Sequence, residues 1–174
     1  MSYVGVVGPS RASEAELGDA EALGRGLAER GHVVVCGGLG GVMEAAARGA
    51  AQAGGVVVGL LPGADRADAN PYVTVAIPTG LGELRNALLV RSSDVVVSVG
   101  GSWGTLSEVA LAVRTGLPVV AIRGWGLDGP APGAGPRDVA SVDEALSLLD
   151  ALPAGARTIG VRDVPEPGAA ASAP

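Results

Sequence analysis

Apolar positions along this chain fall into two kinds of run. Val4–Val7, His32–Cys36, Val56–Leu61, Val95–Val99 and Val119–Ile122 are short and rich in β-branched residues. They scarcely alternate with polar residues, the pattern of strands buried on both faces. A shorter run at Val73–Ile77 adds a sixth candidate strand. Between these runs lie stretches of Leu and Ala at helical spacing. Ser13 with Glu16 forms a capping box that opens a helix to about Arg30, with Leu17, Leu23 and Leu27 inward, and Gly31 stops it. The Ala-rich segment Val42–Ala53 predicts a second helix, closed by Gly54-Gly55. Leu81–Arg91 and Thr105–Arg114 predict two more, and Ser141 with Glu144 caps a last one to about Leu149. Residues 62–71 read as a polar loop, and 124–137 (GWGLDGPAPGAGPR) is too rich in Gly and Pro for regular structure.

Strand and helix alternate along the whole chain, with no internal repeat and no second core. The expected architecture is α/β: a single doubly wound, mostly parallel Rossmann-like sheet with helices on both faces. It spans residues 1–164, and the tail 165–174 is expected to be disordered. Ligands of such sheets bind beyond the carboxyl ends of the strands. Three turns fall there: Gly8–Arg11, Gly37–Gly41 and Gly100–Thr105. The last two are glycine-rich and each opens a helix.

Composition narrows the chemistry. The 174 residues suffice for one core without disulfides, and the absence of Phe leaves Val, Leu and Ala to build it. A net charge of −6 argues against a general nucleic-acid binder, which needs a cationic surface. All 12 basic residues are Arg; there is no Lys, one His (His32) and one Cys (Cys36). A lone cysteine, no signal-like leader and no apolar run near the roughly 20 residues of a membrane span suit a cytoplasmic protein.

Gly100-Gly101-Ser102-Trp103-Gly104 fits G-x-S-x-G, the nucleophile elbow of α/β hydrolases. That fold places its His after the serine, and no His follows Ser102. A Ser–Lys pair, a Walker A loop and pyridoxal-phosphate decarboxylation each need the missing Lys. A His/Cys zinc site lacks ligands, so no metal site is expected. The fingerprint G-x-G-x-x-G fails because Met43 stands where its last glycine belongs. His32 reads as a strand-entry residue and Cys36 as a small buried one.

What survives is a phosphate cradle. Glycines bring backbone N–H groups close to an anion, and a helix N-terminus adds partial positive charge. Glu108 is the candidate acid, although Thr105-x-x-Glu108 also reads as a capping box. Arg85, on the preceding helix, reads either as a partner at the same mouth or as a solvated helix face.

Cys36-Gly-Gly-Leu-Gly-Gly-Val-Met-Glu44 resembles the G-G-G-x-x-G-L-M-G segment of the LOG ("Lonely Guy") proteins, often mislabelled lysine decarboxylases. Gly100 to Glu108 (GGSWGTLSE) is similar to their P-G-G-x-G-T-x-x-E, and Arg85, nine residues before Asp94, matches the Arg of their R-K-x-x-M…D segment. The likeness runs from about Tyr3 to Ile122. It implies a Rossmann-like homodimer or homotetramer that splits a nucleoside 5′-monophosphate into base and ribose 5-phosphate, with Arg85 and Glu108 catalytic and no cofactor. Ser10, Gly37, Gly38, Gly40, Gly41, Met43, Gly100, Gly101, Ser102, Trp103, Gly104 and Thr105 would bind phosphate and ligand. Three departures resemble a sister branch: Val99 for Pro, Asn86 for Lys and Glu44 for Gly. That branch includes molybdenum-cofactor carrier proteins, which implies an alternative: a non-catalytic protein with a nucleotide, or the cofactor's phosphorylated pterin, as cargo. Partners are expected to be small phosphorylated molecules, not nucleic acid or membrane.

Overall fold

The structure is a computed structural model that describes residues 1–129 and 133–152. The tail expected from Pro165 lies outside the described residues. Seven strands form one sheet: β1 (Tyr3–Val7), β2 (Val33–Cys36), β3 (Val57–Leu61), β4 (Val75–Pro78), β5 (Val95–Val99), β6 (Val119–Ile122) and β7 (Arg137–Val139). Their order across it is β4-β3-β2-β1-β5-β6-β7. Every pairing is parallel, so the sheet is fully rather than mostly parallel. Five helices connect the strands: α1 (Glu14–Glu29), α2 (Val42–Gln52), α3 (Arg85–Arg91), α4 (Trp103–Arg114) and α5 (Val142–Ala151).

Because side chains alternate across a strand, each valine run feeds two cores at once. Val4, Val6, Val34, Val57, Val95, Val97 and Val99 meet Leu23, Leu27 and the alanines of α2, with Leu146 and Leu149 of α5, on one face. Val7, Val35, Leu60 and Val96 meet Leu89 and Val90 of α3 and Val109 and Ala112 of α4 on the other. Leu23 and Leu27 are fully buried, each worth about 1.5–3 kcal/mol of transfer free energy. Leu17, expected inward with them, is partly buried at the cluster's edge.

Three local readings are corrected. The Gly/Pro-rich stretch ends in a strand, since Arg137–Val139 pairs with β6 and continues the sheet edge. A three-residue edge strand carries too little apolar pattern to stand out. The helix expected over Leu81–Arg91 is broken into a 3-10 turn at Gly82–Leu84 followed by α3. The helix expected from Thr105 begins at Trp103, because Ser102 takes the N-cap position and its hydroxyl accepts from the Thr105 N–H at 3.1 Å. Glu108 is therefore no capping-box partner of Thr105; it lies a turn deeper.

The order of strands reverses between β1 and β5, which are neighbours in the sheet while the chain winds away on either side. Such a switch point opens a crevice at the strands' carboxyl ends. The turns after β1, β2 and β5 all reach it.

Candidate functional site

A cleft of about 800 Å³ occupies that crevice. This volume lies in the range of small-molecule sites. It is lined by Ser10 after β1, by Gly37, Leu39 and Met43 after β2, by Leu84, Arg85 and Asn86 of the α3 approach, and by Ser102, Trp103, Gly104, Thr105, Ser107 and Glu108 of α4.

The inward stripe of α4 is Thr105, Glu108, Val109 and Ala112. This is the i, i+3, i+4, i+7 spacing of a buried helix face, so Glu108 occupies a core position. Arg85 and Leu89 lie likewise on the inner side of α3. The two charges meet there: Arg85 Nη1 donates to Glu108 Oε1 at 3.1 Å. Arg85 is 8% exposed and Glu108 6%. A solvated helix face for Arg85 is ruled out.

Burial raises the Glu108 carboxyl from 4.5 to about 7, because desolvation of the carboxylate outweighs the attraction of Arg85. Arg85 Nε is buried and, among the described residues, has no hydrogen-bond partner. A buried donor in that state costs about 1–3 kcal/mol until an acceptor reaches it. The guanidinium also explains Gly37, since a Cβ there would strike Arg85 Nη2 and come within 2.6 Å of Met43 Sδ.

The α4 turn presents the anion seat. The first N–H groups of a helix have no acceptor within it, and here they belong to Trp103 and Gly104 at the cleft wall. Ser102 Oγ lies 2.8 Å from Thr105 Oγ1, and Ser107 Oγ donates to the Gly104 carbonyl at 2.7 Å while accepting from Asn86 Nδ2 at 3.2 Å. Hydroxyls and one amide therefore surround the helix end.

Of the residues expected from sequence, Ser10, Gly37, Met43, Arg85, Ser102, Trp103, Gly104, Thr105 and Glu108 line the cleft together. Gly38, Gly40, Gly41, Gly100 and Gly101 do not. Gly41 has φ 68° and sits against the Pro9 and Ser10 carbonyls, while Gly38 packs on Leu61 and Gly59. Gly40 has open space around its Cα, with only the Glu44 carboxylate near. Gly100 turns the chain at φ 69° over the Glu16 carboxylate, and Gly101 lies beneath the Trp125 ring. Those two glycines are set by protein neighbours on the far side of the turn. Leu84, Asn86 and Ser107 were not expected as site residues; Leu84 had a signal, an apolar residue beside Arg85 off the inward stripe.

Neither remaining reactive group serves the cleft. His32 precedes β2 at the amino end of the parallel strands and its Nδ1 accepts from the Ser2 N–H at 3.2 Å, so it cannot serve Ser102 beyond the carboxyl end of β5. Burial pushes the Cys36 thiol up to about 11, which keeps it protonated and inert at neutral pH. Among the described residues no three His, Cys, Asp or Glu side chains cluster as metal ligands.

An uncharacterised protein of Archaeoglobus fulgidus is 42% identical over 123 residues, 71% of this chain and 81% of its own length. The structure of a molybdenum cofactor binding protein from the phototrophic bacterium Rippkaea orientalis superposes with a TM-score of 0.79 at 35% identity, covering 86% of this chain and 95% of that one. The molybdenum cofactor carrier protein of Chlamydomonas reinhardtii gives 0.75 at 33% identity, covering 86% and 96%. DNA processing protein A of Helicobacter pylori shares the fold, with a TM-score of 0.66 at 19% identity over 86% of this chain and 80% of that one. The likeness carried by the two glycine motifs thus holds, on the side of the cofactor carriers. This chain belongs to the SLOG cluster4 family, whose pattern it matches over residues 1–144.

Proposed function

We propose that this protein binds a phosphorylated pterin or nucleotide-like molecule in the α3–α4 cleft and holds it intact, with molybdenum cofactor as its cargo. The observation that carries this reading is the likeness, at 33–35% identity along 86% of the chain, to two proteins that bind or carry that cofactor. The cleft fits such a cargo by its phosphate. The α4 N-terminus offers backbone donors and partial positive charge, and Ser10, Ser102 and Thr105 offer hydroxyls. Arg85 and Glu108 brace the floor, each engaged with the other.

A second reading, hydrolysis of a nucleoside 5′-monophosphate to base and ribose 5-phosphate, is favoured by one observation. A carboxyl raised to about 7 at the cleft wall suits a general base at neutral pH. Incubation with AMP, CMP, GMP or UMP, followed by chromatography, separates the two. The carrier reading expects every monophosphate to be recovered whole. Release of free base by the wild type, abolished in Glu108→Gln, would establish the hydrolase instead.

A further inference from the structure

We propose that Trp103 and Leu84 form the ring-binding subsite of this cleft, a seat for a planar nitrogen heterocycle whose attached phosphate rests on the α4 N-terminus. The inference rests on the ligand-binding reading above and adds what recognises the ring. Apart from the N-terminal Met1, Trp103 at 80% and Leu84 at 76% are the most exposed large apolar side chains among the described residues. Single exposed apolar residues are ordinary on any surface. These two come from different elements, the start of α4 and the residue before α3, and both line one cleft. Two large apolar groups left in water at one opening mark a surface waiting to be covered.

Trp103 is also held in place without being hidden. Its ring meets that of Trp125 edge to face, with centroids 5.3 Å apart and planes at 81°. An edge-to-face contact leaves at least one face of the Trp103 ring free. Trp125 in turn lies on Gly101, where a Cβ would strike the indole. Glycine at 101 therefore seats Trp125, Trp125 steadies Trp103, and Trp103 lines the cleft with its ring largely exposed. Trp103 is the first residue of α4, so the platform adjoins the anion seat. Asn86 and Ser107, which line the same cleft, supply polar groups for a ring edge. Stacking of this kind accepts any π-face, so the shared chemistry is a planar aza-heterocycle joined to a phosphate, from either a nucleotide or a pterin.

Trp103 and Trp125 are the two tryptophans of the chain, so tryptophan fluorescence, excited selectively over Tyr3 and Tyr72, reports on this corner alone. The full chain is titrated with AMP, with a pterin phosphate, and with ribose 5-phosphate as the ringless probe, following fluorescence for the wild type and heat for the variants. The expected result is that a ring-bearing ligand quenches the fluorescence and binds more tightly than ribose 5-phosphate. Trp103→Ala weakens that ligand by about tenfold or more, Leu84→Ser weakens it less, and Trp103→Phe retains most of the affinity. Ribose 5-phosphate binds all four proteins alike. Which of AMP and the pterin responds identifies the source of the ring. Unchanged affinity for ring-bearing ligands in Trp103→Ala overturns the subsite and leaves the binding reading intact. The same unchanged affinity with an altered native mass assigns the patch to contact between copies, and also overturns it. A wild type that binds none of the three probes overturns both.

Discussion

Glu108 and Arg85 stand where their helices would ordinarily place leucines. Their positions were legible as spacing: Glu108 falls three after Thr105 and one before Val109, on the stripe that also holds Ala112. Sequence could not decide between a cap and a core position, because Thr105-x-x-Glu108 satisfies both patterns until the helix start is known. The cap at Ser102, three residues before Thr105, settles it. Two outcomes follow for the pair. At pH 8, where the carboxyl is ionised, Glu108→Ala would strand Arg85 as a buried, uncompensated charge, and should cost about 3–5 kcal/mol in urea unfolding. The pH response is equally specific. With the carboxyl raised from 4.5 unfolded to about 7 folded, the folded protein keeps a proton that the unfolded chain releases between those values. Stability contributed by this group is therefore lost as pH rises through that window. The stability of the wild type relative to Glu108→Gln should fall from pH 4.5 to 7. A difference that is flat there, and changes only below pH 4.5, would mean that Arg85 dominates and holds the carboxyl low.

At the scale of elements, the strands and most helices were readable because each sits in a strong local pattern: valine runs for β1, β2, β3, β5 and β6, capping boxes for α1 and α5. What escaped was whatever depended on neighbours. β7 exists because β6 offers an edge for Arg137–Val139, and Trp125 acquires a role because Gly101 leaves room for its ring. The packing of α1 on α2 is of the same kind. A Cβ at Gly24 would strike the Ala46 carbonyl, and one at Gly49 the Glu21 carbonyl, so the two backbones touch directly. That contact explains why α2 is built of alanine and glycine, a composition the sequence displays without its reason. Gly24→Leu should force the helices apart and cost about 1–3 kcal/mol, possible to read as a melting temperature lowered by several degrees. An unchanged melting temperature would show that the interface yields freely.

For the whole molecule, the parallel sheet with its reversal between β1 and β5 accounts for the cleft at the strand ends. Net charge bears on what enters. The fold is shared with a DNA processing protein, yet this chain carries −6, and the cationic Arg85 in the cleft is already engaged by Glu108. A single-stranded oligonucleotide should therefore remain unbound at physiological salt in a mobility-shift assay, and retention that weakens as salt rises would contradict this. The proposed function requires that the cleft hold a phosphorylated ligand whole. Native mass spectrometry after parallel incubations with molybdenum cofactor and with AMP tests it most directly. The expected result is a mass increase equal to one intact cofactor per chain, with AMP recovered unbroken. A protein that shows no added mass with the cofactor while free adenine accumulates from AMP would contradict it.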